Sequence, residues 1–277
     1  MINYKMVNYK VQIKPLVKWA GGKTQLLDTI TKFLPESFDR YIEPFIGGGA
    51  LYFFLEPEKP IIIDKNHELI NFYRVVRDNL DEMIEELTSY KNDAEFYYYI
   101  RKLQPHQLTN IQRAARFLYL NKTGYNGLWR VNKKGEFNVP FGKYKNPKLI
   151  DRENLMRARE LLKRTEILFG DFDMCLDYAD KNTFIYFDPP YHPLSETSSF
   201  TSYTSDDFTE KDQIRLANIF CELDRRGSKL MLSNSDTPFI KELYKGYNIV
   251  KVYAKRAINC RPDKRGPISE LIIRNYS

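Results

Sequence analysis

Thr183-Phe184-Ile185-Tyr186-Phe187-Asp188-Pro189-Pro190-Tyr191 is the stretch whose reading decides the fold. Its first half is aromatic and β-branched without a break, the composition of a strand buried on both faces. It stops at Asp188, because two consecutive prolines offer no backbone N–H and cannot extend a ladder. A carboxylate, two carbonyls and an aromatic ring are thereby gathered at the carboxyl end of a strand. In open α/β sheets that is where ligands bind.

The chemistry of this cluster suits an exocyclic amine on a nucleobase, whose lone pair is delocalised into the ring. Two acceptors on its two N–H bonds, the Asp188 carboxylate and a carbonyl of Pro189 or Pro190, draw the nitrogen towards tetrahedral geometry and free the lone pair. Tyr191 supplies a face on which the base stacks. Fixed dipoles in a dry pocket do this best, and the base must first leave its duplex. The rest of the chain is therefore expected to hold a methyl-donor site and a surface that reads DNA.

Outward from that strand, two glycine-bearing stretches come earlier. Lys18-Trp19-Ala20-Gly21-Gly22-Lys23 sets adjacent glycines between an aromatic face and two cations. Gly22-Lys23-Thr24 is not a P-loop, since Val17 stands where that motif needs its first glycine. Gln25 to Leu34 reads as a helix stopped by Pro35. Arg40 to Phe45 reads as a strand running into Gly47-Gly48-Gly49, with a short helix from Ala50 to Leu55, the arrangement that brings backbone amides against a nucleotide-like ligand. Pro60 to Ile63 is a second strand, and Asp64 at its end is placed to accept ribose hydroxyls or to cap the helix that begins near Glu68. Leu69 to Leu87 reads as one helix, and Tyr97 to Leu103 as another. Ile111 to Asn121 reads as a third, with Arg113 and Arg116 on its polar face.

The net charge of +7 is unevenly spread: residues 71–163 hold 18 Lys and Arg against 11 Asp and Glu, and the remainder holds 25 of each. The whole excess lies in one central segment, the electrostatic footprint of a nucleic-acid surface. Within it, Thr123 to Lys148 interleaves aromatic, amide and cationic side chains around a hairpin tip at Asn132-Lys133-Lys134-Gly135. Arg and Lys read guanine, Asn reads adenine, and apolar side chains wedge between bases. Beyond Asp188, His192 to Phe208 is a long polar loop beside the site. Thr209 to Arg226 is a helix, and Lys229 to Leu232 a strand. Asp236 caps a further helix. Ile249 to Ala254 and Leu271 to Ile273 are antiparallel strands joined by the basic loop Asn259 to Pro267. Cys175, Cys221 and Cys260 are far apart, the histidines are scattered, and no stretch is long and apolar enough to span a membrane. A reduced, cytoplasmic protein without a metal site is expected.

Five motifs stand in a telling order: Lys-Trp-Ala-Gly-Gly-Lys (18–23), Glu-Pro-Phe-Ile-Gly-Gly-Gly (43–49), Tyr-Asn-Gly-Leu-Trp-Arg (125–130), Phe-Asn-Val-Pro-Phe-Gly (137–142) and Asp-Pro-Pro-Tyr (188–191). Together they resemble the Dam-family DNA adenine-N6 methyltransferases of class alpha, GATC-type and DpnM-like, over nearly the whole chain. The resemblance implies an α/β fold: a Rossmann-like S-adenosylmethionine-dependent methyltransferase sheet from residues 1–70 and 164–277, with a mainly helical DNA target-recognition insert at 71–163. It implies S-adenosylmethionine against Trp19, Lys23, Phe45, Gly47 and Gly49, its ribose on Asp64, its adenine beside Asp171 and Phe172, and Asp188 between cofactor and target amine.

The catalytic set so implied is Asp188, Pro189, Pro190 and Tyr191. The DNA-contacting set is Lys18, Tyr125, Asn126, Leu128, Arg130 and Pro140, with Tyr125 intercalating and Lys18, Leu128 and Arg130 reading the outer base pairs of GATC. Trp129 and Val131 lie inside the reading segment and tune its contacts. Double-stranded DNA is the implied partner, and a cognate restriction endonuclease would be a genetic rather than a physical one. Other readings share parts of the pattern. A GATATC-reading relative carries the Asn-Gly and Phe-Asn-Val-Pro-Phe stretches. Cytosine-N4 and protein-glutamine methylation use Pro-Pro-Tyr motifs that begin with Ser or Asn. A nicotinamide enzyme would share only the glycine turn. A DNA-binding protein with a degenerate cofactor site would not retain Trp19, Lys23, Asp64, Asp188 and Tyr191 together.

Overall fold

Alternating strands and helices place the inner strands of the sheet between two apolar layers. The computed structural model describes residues 12–132, 134–194, 208–254 and 268–277. Its strands are β1 (Arg40–Glu43), β2 (Pro60–Asp64), β3 (Glu166–Phe169), β4 (Thr183–Phe187), β5 (Lys229–Ser235), β6 (Asn248–Ala254) and β7 (Ile268–Arg274). They form one sheet in the order β3-β2-β1-β4-β5-β7-β6. β7 runs antiparallel to both β5 and β6, so the expected direct pairing of the last two strands is present. Side chains alternate between the two layers: Tyr41, Ile62, Phe184 and Tyr186 face one core, while Ile42, Ile61, Ile63, Ile185 and Phe187 face the other. Parallel strands buried on both sides read as unbroken apolar runs for this reason.

The strand order reverses at β1, which pairs with β2 on one side and β4 on the other. Such a switch point opens a crevice at the carboxyl ends of the strands. The glycine turn after β1 and the Asp-Pro-Pro-Tyr segment after β4 therefore face one another.

The helices are α1 (Leu27–Ile30), α2 (Ala50–Leu55), α3 (His67–Asp78), α4 (Leu80–Thr88), α5 (Ala94–Lys102), α6 (Asn110–Thr123), α7 (Arg152–Leu162), α8 (Glu210–Arg225) and α9 (Pro238–Leu243). Several depart from the sequence reading, each for a local reason. The helix expected over 25–34 is a single turn, α1, between two 3-10 turns. The helix expected over 69–87 is two, because Asn79 leaves helical geometry (φ −136°, ψ 41°) while its carbonyl starts α4. Asn66, rather than Asp64, caps α3 by accepting from the Leu69 N–H. Thr237, rather than Asp236, caps α9; the Asp236 carboxylate pairs with Lys241 and Lys251, which hold its pKa far below the ordinary value. β5 runs on through Ser233-Asn234-Ser235 because β7 pairs with it there.

Arg116 is not on a polar face. It is buried, and donates to the carbonyls of Ile100 and Arg101 at the end of α5, satisfying groups that a helix terminus leaves open. Arg113 is ion-paired with Glu68. The division expected at residues 70 and 71 falls inside α3, which packs on both α6 and α7. The 195–207 part of the long polar loop, the basic loop at 259–267, Cys260, Lys133 and the N-terminus through Val11 lie outside the described residues.

Candidate active site

A cleft of about 2010 Å³ follows the carboxyl ends of β1, β2 and β4. Pockets for one small molecule are usually about 300–1,000 Å³, so this one has room for a cofactor and a second ligand together. It brings Trp19, Lys23, Phe45, Gly47, Gly49, Asp64, Asp171, Phe172, Asp188, Pro189, Pro190 and Tyr191 into one wall, with Lys18 at its margin. Tyr125, Asn126, Leu128, Arg130 and Pro140 are not part of that wall; they lie on the adjoining segment.

The glycine turn is shaped by close approach. Gly47 (φ 44°) and Gly49 (φ 67°) sit in left-handed geometry, and a Cβ on Gly47 would lie 2.6 Å from the Trp19 ring. The turn is held from below: the Gly47 N–H donates to Asp64 Oδ2 at 3.0 Å, and the Tyr73 hydroxyl donates to the Gly47 carbonyl at 2.7 Å. Asp64 Oδ1 accepts from the Asn66 N–H at 2.8 Å. Burial pushes the Asp64 carboxyl up to about 6 against these two backbone donors. A left-handed turn bare of side chains, an aromatic face and a carboxylate at the end of β2 fit a nucleoside-bearing cofactor.

At the end of β3, Asp171 accepts from Arg215 (2.6 Å) and Lys65 (3.0 Å), and the Phe172 N–H donates to its Oδ1. Burial works to raise its carboxyl, but the Arg215 and Lys65 contacts hold it below the ordinary range. Phe172 stacks on Phe45 with ring centroids 5.2 Å apart, and the Arg215 guanidinium lies 4.1 Å from the Phe172 ring.

Asp188 meets Lys23 at 2.8 Å. The same ammonium donates to the Gly21 carbonyl and lies 4.7 Å from the Tyr191 ring centroid. Lys23 is buried, and ties the first glycine stretch to the Asp188–Tyr191 segment. Burial raises the Asp188 carboxyl above its ordinary value while Lys23 opposes the shift. Glu43, also buried, accepts from the Tyr41 hydroxyl at 2.6 Å, and burial lifts its pKa strongly. Tyr191 donates to Glu270 Oε2 of β7 at 2.7 Å, which fixes its ring. The Pro190 carbonyl accepts from Gln213 Nε2 at 2.9 Å, and Pro189 before it is buried.

On the adjoining segment, Tyr125 is 52% exposed and its N–H donates to the Pro140 carbonyl. Arg130 Nε donates to Asn138 Oδ1 at 2.7 Å. Lys18 is brought here by Asn121, which is fully buried: its Oδ1 accepts from the Lys18 N–H and its Nδ2 donates to the carbonyls of Lys18 and Gly127. Tyr144 accepts from the Asn126 N–H at 3.0 Å and carries the Lys18 ammonium 5.1 Å from its ring centroid. Trp129, expected to tune contacts, is instead core, packed between Phe117 (4.3 Å) and Phe137 (4.8 Å). Val131 bridges to Phe137. Sequence reading misses Glu43, Asn121, Tyr144, Gln213, Asn234 and Glu270. Only the asparagine of Leu232-Ser233-Asn234, a polar residue at the end of an apolar strand, carries a local signal.

Among the described residues no cluster of acidic, His or Cys side chains is arranged for a metal ion, and no helix is long and apolar enough to cross a membrane.

The Asp64 carboxyl makes a prediction about cofactor affinity. Ribose hydroxyls donate best to the ionised form, so a nucleoside-bearing cofactor whose ribose meets Asp64 is expected to bind more weakly as pH falls through about 6, by up to about tenfold per unit below it. Without cofactor the sign reverses for folding: the raised value stabilises the protonated native state at low pH, and that contribution is lost as pH rises through about 6. Calorimetric titration across this window checks the binding effect, and a flat profile in the native protein would remove Asp64 from the ribose site. In Asp64→Asn the pH dependence should vanish.

Comparison with known proteins bears on the whole arrangement. Residues 19–258 match the family described as D12 class N6 adenine-specific DNA methyltransferase. The chain is 50% identical over 289 residues to the type II methyltransferase M.MjaIII of Methanocaldococcus jannaschii, covering 96% of this chain and 100% of that protein. It is 45% identical to the type II methyltransferase M1.LlaDCHI of Lactococcus lactis subsp. cremoris, over 96% and 97% of the two chains. Identity to a DNA adenine methylase of Haemophilus influenzae is 37%, over 95% and 94%.

Proposed function

Since the chain belongs to the D12 class of N6 adenine-specific DNA methyltransferases, we propose that it methylates adenine within GATC in double-stranded DNA, acting on a base flipped out of the helix. The observation that carries this reading is the single cleft in which Asp188, Pro189 and Tyr191 face the glycine turn and Asp64. S-adenosylmethionine, the donor that the family implies, supplies a methyl group on a sulfonium centre when bound. Trp19, Phe45, the Gly47–Gly49 turn, Asp64, Asp171 and Phe172 would hold it.

The protein's own contribution is orientation and electrostatics. Asp188 and the Pro189 carbonyl each accept one N–H of the target amine, drawing the nitrogen out of conjugation. The carboxylate also offsets the positive charge that develops on that nitrogen. Tyr191, its hydroxyl tied to Glu270, stacks on the base. Lys23 opposes the rise that burial imposes on the Asp188 carboxyl and holds it at the cleft.

The charge excess supports a reading surface within 71–163, beside a transferring unit from 1–70 and 164–277. Several cations in and beside α3 and α7 meet carboxylates: Arg77 with Asp78, Arg152 and Arg159 with Asp81, and Lys163, just past α7, with Glu160. As with Lys32, Lys59, Lys181 and Lys229 elsewhere among the described residues, Arg101, Lys102, Lys122, Lys134, Lys143 and Lys145 have no carboxylate at ion-pair distance, and these six belong to 101–145. Unpaired cations there suit phosphates. Lys18, Leu128 and Arg130 read the outer base pairs, Asn126 and Pro140 contact the duplex, and Tyr125 intercalates beside the flipped base. A cognate endonuclease recognising the same site would be the genetic partner.

The test is incubation of the protein with labelled S-adenosylmethionine and duplexes carrying GATC, GATATC or scrambled sites, followed by nucleoside digestion. N6-methyladenine confined to GATC duplexes is expected. Label confined to GATATC would overturn the site assignment and keep the chemistry. Arg130→Ala should cost about 1–3 kcal/mol of discrimination at one base pair; an unchanged site preference would remove Arg130 from base reading.

A further inference from the structure

We propose that Gln213 and Asn234 are positioning residues that set the pose of the Pro189-Pro190 pair, and through it the acceptor geometry at the target amine. The inference rests on the reading that Asp188 and Pro189 engage that amine.

Two prolines in succession leave the segment without backbone donors, so its own N–H groups cannot anchor it. The anchor comes from two side-chain amides on other elements. Asn234, in β5, and Gln213, in α8, are 0% and 1% exposed. Asn234 Oδ1 accepts from the backbone N–H of His192 (3.2 Å) and of Ser235 (2.8 Å). Two donors on one atom fix which end of the amide is oxygen. Its Nδ2 must then face Gln213, and it donates to Gln213 Oε1 at 3.0 Å. That contact in turn fixes the Gln213 amide, whose Nε2 is left to donate to the Pro190 carbonyl at 2.9 Å. Reversing either amide would set oxygen against oxygen, or nitrogen against nitrogen, in a buried place where an unmet polar group is costly.

The chain of four hydrogen bonds has a functional result. It holds the segment at Pro190 and again at His192, on either side of Tyr191. It ties the Pro190 carbonyl to α8, and so sets the pose of Pro189 between that anchor and Asp188. An ångström of drift in an acceptor is enough to cost about a hundredfold in rate.

The experiment measures single-turnover methylation by the full-length protein, on whichever duplex the wild type labels, alongside the dissociation constants for S-adenosylmethionine and DNA. The substrate reading is tested by the wild type alone, before any variant is compared. Gln213→Leu removes the donor to Pro190 and should lower the single-turnover rate about 10- to 100-fold, with both dissociation constants unchanged. Gln213→Glu supplies a signature that a purely structural role would not give. Its carboxylate still accepts from Asn234 but presents a second acceptor to Pro190; once protonated it donates again. Burial raises the pKa of such a group. The ratio of this variant's rate to the wild-type rate should therefore be low at alkaline pH and climb as pH falls. A Gln213→Leu rate equal to wild type, or a Gln213→Glu ratio that does not change with pH, would overturn the proposal. Should Gln213→Leu fail to fold, the pH-dependent ratio of Gln213→Glu decides alone.

Discussion

Asp188→Ala is expected to lower the single-turnover methylation rate by about a thousandfold, at the upper end of what removal of one preorganised electrostatic group costs. DNA binding should be largely preserved, because the cations assigned to the duplex lie on 101–145 and at Lys18. The variant also leaves the Lys23 ammonium buried without its 2.8 Å partner, and an uncompensated charge of that kind destabilises by about 3–5 kcal/mol. The two effects separate experimentally. Asp188→Asn keeps the volume and one acceptor oxygen but loses the charge, so it should retain more activity than alanine. A thermal melt then reports how much of each loss is stability. Wild-type turnover in Asp188→Ala would end the assignment of amine activation to this residue.

Gly47→Ala should weaken S-adenosylmethionine binding by about 10- to 100-fold, as follows from two separate strains. The residue occupies φ 44°, where a Cβ costs about 1–2 kcal/mol. The new carbon would lie 2.6 Å from the Trp19 ring, near its root, so the indole must move. The surrounding bonds, from Tyr73 to the Gly47 carbonyl and from the Gly47 N–H to Asp64, oppose relief by the backbone. Equilibrium dialysis with labelled cofactor measures the effect, and unaltered affinity would show that Trp19 is not a wall of the cofactor site. Gly135, also at positive φ, meets nothing within 4 Å of its would-be Cβ. Its substitution should leave cofactor affinity unchanged.

How far such a site can be read from sequence depends on how local its causes are. Asp188 is legible because a proline pair must end a strand, and the glycine turn is legible because three glycines beside a strand have few uses. Both follow from neighbours in the chain. Gln213 and Glu270 are not legible, and Asn234 is marked only as a polar residue ending an apolar strand, since each acts on a segment brought close only by the sheet order. An ordinary glutamine in an amphipathic helix carries no mark of the carbonyl it will meet. Arg116 and Trp129 mislead for the opposite reason. A cation at helical spacing and an aromatic among asparagines look like surface chemistry, yet one closes the end of α5 and the other fills the space between Phe117 and Phe137. The helix boundaries fail where a single residue, such as Asn79, breaks a continuous apolar rhythm.

The pairing of β1 with β4 bears on how the molecule is made. Arg40 lies beside Thr183 and Ile42 beside Ile185, so everything from Pro44 to the end of the loop before β4 separates the two strands in the chain. β1 thus gains its second neighbour only after α3 to α7 have been synthesised. Contacts of such long sequence separation slow folding, because the loop between them must close first. A nascent chain that ends before β4 has an uncovered β1 edge, and unpaired strand edges invite association with other chains. The Lys23–Asp188 contact waits for the end of the same strand, and the Tyr191–Glu270 contact waits for β7. Assembly of the catalytic cluster therefore reports on completion of nearly the whole chain, and a product truncated before β7 would have a sheet without the strand that steadies Tyr191.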